Sequence, residues 1–293
     1  PPPPFFNAPP PTENHTMVSS SAASDVYKRQ RAGCAPRGPR AMCAAGAHAA
    51  TEAAGVAFCR WRIAAWRDGS QFAQGLLRGA GQGLFPLRLS AWTEEFALDL
   101  SIGPGSKPLV AQGENGLSRK SAAPGNASYY YSFTRLPTGG ELRIGDRRYR
   151  VKGDSWFDRE WSSSALGADE AGWDWFALHL DDGRDLMFYR MRGKDGRAQR
   201  FSGGVLVGGD GSVHSLSLDD VELGPTRTWQ AADGVAYPVA WHLRVPDFGL
   251  DLAVEAAFDD QEMDVTVRYW EGAVVVSGSH SGAGYLELSG YAP

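Results

Sequence analysis

The chain has 293 residues, of which 43% are apolar, and a formal net charge of -5, so it can form one large domain or two of ordinary size around a buried core. The negative charge, and the lack of Lys and Arg runs interleaved with aromatic residues, argue against a nucleic-acid-binding surface. The longest apolar runs are far shorter than the roughly 20 residues that span a bilayer, so no transmembrane helix is expected.

Residues 1–54 do not have the composition of a folded domain. The segment starts with a proline-rich run, and its stretch VSSSAASDVYKRQ resembles a translated sequencing adapter. The residues that follow are almost all Ala, Arg, Gly, Cys and Pro, as GC-rich DNA gives when it is read in the wrong frame. We therefore expect this segment to be non-native or disordered. The alternatives are an alanine-rich helix or an Arg-rich, acid-poor transit peptide.

From about residue 84 onward the sequence is typical of β-strands. Apolar residues alternate with others in LFPLRLSAWTEEFALDLSI, and the pairs Gly145-Asp146 and Asp182-Gly183 predict hairpin turns. Further strand patterns follow at close spacing, with no helix signature between them. Many short strands with turns rich in Gly, Asp and Pro predict an all-β barrel or sandwich.

Several of these strands are apolar on both faces. In GWDWFALHL, Trp173 and Trp175 share one face of the predicted strand, while Phe176 and Leu178 share the other. Two explanations fit such a strand. It can belong to a barrel that encloses an apolar ligand, or to an antiparallel sheet that neighbouring layers cover on both sides. The repetition of the pattern favours the barrel.

The common catalytic and metal-binding motifs are missing. GSHSG at 278–282 has His280 in the position of the serine in a nucleophile elbow, and a glycine-rich hairpin turn explains it better. The six histidines and three cysteines have no metal-ligand spacing, so we expect neither a cofactor nor a metal. His179 and His242, each in a predicted strand, are expected to be hydrogen-bonded or surface-facing rather than ligands.

One cluster combines carboxylates with aromatic residues, and it centres on GDSWFDREWSSS at 153–164. A strand would place Trp156, Asp158 and Glu160 on one face and the intervening residues on the other. The candidate catalytic residues are Asp158, Glu160 and Asp174. The candidate ligand-binding residues are Trp156, Trp161, Trp173, Trp175 and Tyr130.

This cluster has a functional and a structural interpretation. A carboxyl group in a desolvated aromatic pocket stays protonated near neutral pH and can act as an acid, and indole faces stabilise a developing cation. In the structural interpretation the tryptophans fill the core, while the acids cap turns or pair with Arg159. The sequence leaves both open.

Six blocks occur in order between residues 116 and 292: GLSRKSAAPGNASYYYSFTRL, SWFDREWSSSALG, GWDWFALHLDDGRDLMFYRMR, YPVAWHLRVP, RYWEGAVVVSG and GYLELSGYA. They resemble the carotenoid 1,2-hydratase (hydroxyneurosporene synthase) and AttH-like family. The resemblance implies an all-β fold of two lipocalin-like antiparallel barrels. The first is the remnant of an N-terminal barrel, truncated at its start, over residues 55–165, and the second covers residues 170–293.

The chain departs from the family pattern in two places. The aromatic EWWYF-like strand that opens the first barrel in family members is absent. Arg159 also stands where many members carry histidine, which reduces the expectation of the same proton-transfer chemistry.

The resemblance implies two functions. The AttH-like branch implies a bacterial protein outside the cytoplasm, periplasmic or lipid-anchored, that binds a lipid or isoprenoid and is linked to an ABC-transporter permease. The alternative is a hydro-lyase of the carotenoid 1,2-hydratase type, in which Asp158 protonates a terminal double bond of a polyene. Trp156 and Trp161 would then stabilise the tertiary cation, and Glu160 or Asp174 would orient the attacking water. The SWFDREWSSS and RYWEGAV blocks favour the AttH-like branch.

Overall fold

The computed structural model describes residues 74–79, 84–92, 96–122, 124–162, 166–167, 169–263 and 268–291. The expected non-native segment 1–54 lies outside these residues. Apart from two single-turn 3-10 helices, the regular structure in the described part of the chain is β-strand. None of its helices has the length and apolar character needed to cross a membrane.

The strands in chain order are β1 (Gln74–Gly79), β2 (Leu87–Trp92), β3 (Phe96–Ile102), β4 (Val110–Ala111), β5 (Leu117–Arg119), β6 (Ala127–Ile144), β7 (Arg147–Ser162), β8 (Glu170–Leu180), β9 (Asp185–Gly193), β10 (Gly203–Val207), β11 (Val213–Ser217), β12 (Glu222–Gln230), β13 (Ala236–Val245), β14 (Leu250–Ala256), β15 (Glu262–Met263), β16 (Tyr269–Gly278) and β17 (Gly282–Ser289). All of their pairings are antiparallel.

The first sheet contains β1 to β7, in the order β1-β2-β3-β6-β4, and β6 also pairs with β5 and β7. Its main feature is the long β6–β7 hairpin, which turns at Gly145-Asp146 as predicted. Gly145 has a φ of 56°, in the left-handed region that favours glycine. The ladder shifts register between Phe133 and Leu136, as it does at a β-bulge.

The second sheet contains β8 to β17, in the order β11-β10-β9-β8-β17-β16-β14-β13-β12, with β15 paired to β16. The predicted turn at Asp182-Gly183 joins β8 to β9, where Gly183 has a φ of 88°. GSHSG forms the turn between β16 and β17, as expected. The chain passes from one sheet to the other between Ser162 and Glu170.

The inner face of the second sheet is filled by its own side chains. Phe176, Trp241 and Trp270 are fully buried there, and the rings of Phe176 and Trp241 meet edge to face with centroids 5.4 Å apart. Burying a large apolar side chain contributes about 1.5–3 kcal/mol, so this core is a main source of stability.

The outer face of β8 packs against the first sheet. We call this contact region the inter-sheet interface, and its buried apolar members are Val110, Tyr130, Trp156, Trp175, Ala177, Met187, Tyr189, Met191, Val205 and Val207. The double-sided apolar pattern of β8 therefore has a direct explanation. One face covers the core of the second sheet and the other contacts β4, β6 and β7 of the first sheet.

Candidate functional site at the inter-sheet interface

Strand β7 brings part of the predicted cluster to this interface. In its register with β6, Asp158 lies opposite Ser132 and Glu160 lies opposite Tyr130. Directly opposed residues in an antiparallel pair share a face, so these side chains lie together. Trp156 is on the same face and is buried. This confirms the prediction that Trp156, Asp158 and Glu160 lie on one face of β7 and Phe157 on the other.

Asp158 accepts hydrogen bonds from three neighbouring side chains. The Ser132 hydroxyl donates at 2.5 Å, the Trp156 indole N–H at 2.8 Å and the Tyr130 hydroxyl at 3.1 Å. These three contacts fix the position of the Asp158 carboxyl group beside the Trp156 indole. Its predicted role as an acid stays a prediction.

Tyr130 connects Asp158 to the second sheet. The indole N–H of Trp175 donates to the Tyr130 hydroxyl at 3.2 Å, and that hydroxyl in turn donates to Asp158. The rings of Trp156 and Trp175 meet edge to face, with centroids 6.5 Å apart. Four of the predicted residues therefore form one contiguous group across the interface.

Glu160 lies on the same face of β7 but has different partners. It forms an ion pair with Lys120 at 2.8 Å and accepts a hydrogen bond from Ser128 at 2.5 Å. The ammonium group of Lys120 also lies over the ring of Tyr189, 4.6 Å from its centroid. Such a cation–π contact adds about 0.5–2 kcal/mol. Glu160 therefore belongs to a charged and aromatic group that joins the segment after β5 to β9.

Asp174 is on the opposite face of β8 from Trp173 and Trp175. It is fully buried and accepts hydrogen bonds from Arg190 at 2.8 Å, Arg192 at 3.2 Å and Tyr291 at 2.7 Å. Burial, followed by the charge of Asp174, raises the pKa of Tyr291 well above its ordinary value. The structure therefore does not bring Asp174 to the group around Asp158, and its contacts fit an ion-pair role.

Of the two remaining predicted tryptophans, Trp173 has a described side chain and Trp161 does not. Trp173 lies on the interface side of β8, and its indole N–H donates to Glu287 at 2.6 Å. Trp161 pairs with Tyr129 in the β6–β7 register, and its side chain lies outside the described part of the structure.

His179 is a site residue whose importance the sequence does not reveal. It is buried, its Nε2–H donates to the backbone carbonyl of Thr134 at 2.6 Å, and its ring stacks on Trp156 with centroids 5.7 Å apart. Burial lowers the pKa of His179 to about 4, so the ring is neutral at pH 7. The expectation of a hydrogen-bonded histidine is confirmed, and the residue joins the two sheets.

Other charged residues in this region were not predicted. Asp185 is buried and pairs with Lys107 at 2.7 Å and Arg135 at 2.6 Å, two residues that come from the first sheet and its loops. Glu271 and Glu287 are buried and lie opposite each other on β16 and β17. Both glutamates occur within otherwise apolar strand patterns, and that interruption is the signal that could have identified them.

The fold and this interface define a protein of two lipocalin-like antiparallel sheets joined through an aromatic, carboxylate-containing contact. The profile of the AttH-like family matches residues 15–291, so the chain belongs to that family, as its six blocks predicted. Among proteins of curated function, none matches this sequence.

The solved structures that resemble the protein include the following two. A protein assigned as AttH from Nitrosomonas europaea is 36% identical, with a TM-score of 0.67 over 75% of this chain and 68% of that chain. Kievitone hydratase from Nectria haematococca is 18% identical, with a TM-score of 0.61 over 80% of this chain and 73% of that chain. The second likeness shows a shared fold.

Proposed function

We propose that the protein binds a long apolar molecule, a lipid or an isoprenoid, at the inter-sheet interface. The observation that supports this is the arrangement of Trp156, Trp175 and Tyr130, whose polar atoms are engaged by protein partners. Their rings are buried between the two sheets and form an apolar layer that a ligand would enter by separating the sheets. Met187 and Met191 lie in the same cluster, and methionine adapts its shape to apolar ligands of varied form.

The interface is a better location than the interior of the second sheet. That interior is occupied by large buried side chains, including Trp241 and Trp270. A ligand at the interface would have to separate only two layers of side chains. Ligand sites occur preferentially at such boundaries between structural units.

The proposal includes a place of action outside the cytoplasm and a link to a transporter permease. Family membership supports this part, since the resemblance to the AttH-like branch implies it. Fractionation of the producing cells and co-purification with a permease would test it. Recovery of the protein from the cytoplasm alone would contradict it.

The binding proposal is tested by extracting the purified protein with organic solvent, identifying what co-purifies by mass spectrometry, and titrating the protein with isoprenoids. Trp175→Leu should weaken binding by about tenfold, because an aromatic anchor is lost. Trp92→Leu is the matched control, since Trp92 is 45% exposed on the first sheet. A protein that neither co-purifies with nor takes up a lipid or isoprenoid would refute the proposal.

A second candidate function is hydration of a terminal double bond, as in a carotenoid 1,2-hydratase type of hydro-lyase. The specific observation in its favour is a carboxylate, Asp158, held directly beside the ring of Trp156. Kievitone hydratase, which shares the fold, adds support. In this reaction the protonated carboxyl group of Asp158 would donate its proton to the alkene, water would capture the resulting tertiary cation, and the Asp158 carboxylate would take back the proton that the added water releases.

Each group has a physical role in that reaction. The ring of Trp156 and the charge of Asp158 would stabilise the cation, and Asp158 would accept the proton that the added water releases. Incubation of an acyclic polyene with the protein in ¹⁸O-labelled water separates the two candidates. Labelled alcohol would support the hydratase function. Binding of the polyene without a labelled product would support the carrier function.

A further inference from the structure

Strand β6 presents a row of small polar side chains to the second sheet. Ser128, Ser132 and Thr134 are each at most 2% exposed and alternate with more exposed residues, which places them on one face. Gln112 joins them from the segment that follows β4, and it is also buried. The first sheet therefore brings buried small polar groups to the interface beside its apolar members Tyr130 and Trp156.

Nearly every group in this row has a hydrogen-bonding partner in the protein. Ser128 donates to Glu160, and Ser132 donates to Asp158 while accepting from Gln112 at 3.0 Å. Thr134 differs. Its Oγ1 is buried and makes no hydrogen bond to any described residue, although its backbone carbonyl accepts from His179.

A buried Thr134 hydroxyl without a partner lowers the stability of the folded protein. A buried hydroxyl group left without a partner costs about 1–3 kcal/mol, whereas valine has the same shape and carries no such cost. Thr134 is 1% exposed, so solvent at the protein surface does not pair with its hydroxyl. A hydroxyl in this position is explained if a group from outside the chain pairs with it.

The surrounding charges indicate what kind of group this is. Two carboxylates, Asp185 and Asp154, pair with Lys107 and Arg135. The carboxylate of Asp158 lies opposite the neighbouring Ser132. An anionic headgroup would gain little from the paired cations and would be repelled by Asp158. A neutral hydroxyl can both donate to and accept from Thr134, which has one donor and two acceptor positions.

We propose that Thr134 Oγ1 is the binding position for a neutral hydroxyl oxygen at the inter-sheet interface. The oxygen belongs either to an alcohol group of the apolar ligand or to a water molecule held beside that ligand. This inference rests on the proposed binding function. The ligand class is then restricted to apolar molecules that either have an alcohol group at one end or bind with a water molecule beside that end.

The test compares the wild type with Thr134→Val and Thr134→Ser, using the isoprenoid alcohol phytol and its hydrocarbon counterpart phytane. If the alcohol pairs with Thr134, the wild type should bind phytol about three- to tenfold more tightly than phytane, the gain from one neutral hydrogen bond. Thr134→Val should remove this preference by weakening phytol binding alone. Thr134→Ser retains the hydroxyl and should retain the preference.

Urea unfolding of the ligand-free variants separates the two sources of the oxygen. If the ligand supplies it, Thr134→Val is at least as stable as the wild type. If water supplies it, Thr134→Val is less stable than both the wild type and Thr134→Ser, because a hydrogen bond to that water is lost. Either result supports the neutral hydroxyl position.

Other outcomes would overturn the inference. Stability of Thr134→Val equal to or greater than that of the wild type, together with unchanged affinity for both ligands, would show that the hydroxyl has no partner. Binding of neither phytol nor phytane by the wild type would count against the proposed binding function itself. The two failures are thus distinguishable.

Discussion

The ring of His179 on β8 stacks on the indole of Trp156 on β7, with centroids 5.7 Å apart and ring planes inclined by 28°. The same imidazole donates a hydrogen bond to the carbonyl of Thr134 on β6. One side chain of the second sheet is therefore held by two strands of the first. Because this histidine is buried and neutral, the contact between the sheets should respond to acid.

The expected response follows from the lowered pKa of His179. Its folded value of about 4 lies below its ordinary value of 6.5, so between these pH values the unfolded chain binds a proton that the folded protein does not. Stability is therefore complete above pH 6.5 and falls as the pH is lowered towards 4. The loss amounts to about 3 kcal/mol if the full difference is realised. Urea unfolding at several pH values measures it.

Two variants isolate this effect. His179→Gln cannot titrate but can still donate to the Thr134 carbonyl, so it should lose most of the pH dependence in this window. His242→Gln changes an exposed histidine and should behave as the wild type. An equally steep loss of stability in His179→Gln would mean that another group is responsible.

The ion pairs of Asp185 should be a second determinant of the contact between the sheets. Asp185→Asn removes the negative charge and leaves the buried ammonium group of Lys107 and the guanidinium group of Arg135 without their shared counter-ion. Breaking a buried pair in this way costs about 3–5 kcal/mol. The free energy of unfolding from urea titration should fall by that amount.

A matched exposed pair provides the control. Asp99 pairs with Arg88 across β2 and β3, where both side chains are largely in solvent. Asp99→Asn should have little effect, since exposed pairs are well screened. If both substitutions had similar small effects, Asp185 would not hold the sheets together.

Local patterns in the sequence predicted local structure well. Turn residues identified the β6–β7 and β8–β9 hairpins, because glycine at a positive φ is needed wherever the chain reverses so tightly. Alternation along β7 also predicted correctly which residues share a face with Asp158. Both features depend only on neighbours along the chain.

Contacts between distant parts of the chain could not be predicted in this way. Alternation indicates that Asp174 and Trp175 point to opposite faces, but not which face meets the first sheet. Lys107 and Asp185 are separated by 78 positions, and Trp173 and Glu287 by 114. Their pairing depends on strand order, and a single sequence does not contain that order in any local pattern.

Asp174 should contribute to folding stability and not to ligand binding or hydration. Asp174→Asn leaves the guanidinium groups of Arg190 and Arg192 without their shared buried carboxylate, so the free energy of unfolding should fall by about 3 kcal/mol. Ligand affinity, measured under conditions where the variant remains folded, should be unchanged. A variant of wild-type stability that lost ligand binding or hydration would instead place Asp174 in the functional site.

Asp158→Asn separates the two candidate functions. Asparagine has the same shape and keeps an acceptor oxygen for Ser132 and Trp156, so the fold should be retained. A carrier needs no charge here, and its affinity for an isoprenoid should stay within about threefold of the wild type, the size of a small change in one polar contact. A hydratase would lose a factor of about 10²–10⁴ in rate, because the proton acceptor and the charge that stabilises the cation are both removed.

Glu160→Gln is the matched control for this experiment. Glu160 lies on the same face of β7, but its charge is paired with Lys120. Its substitution should leave the rate of any hydration within a few-fold of the wild type, because its carboxylate is held by Lys120 and Ser128. A larger loss would instead support the water-orienting role predicted for Glu160 from the sequence. Full water-adding activity in Asp158→Asn would exclude Asp158 as either acid or base. Loss of activity in that variant alone would assign the chemistry to the carboxylate beside Trp156.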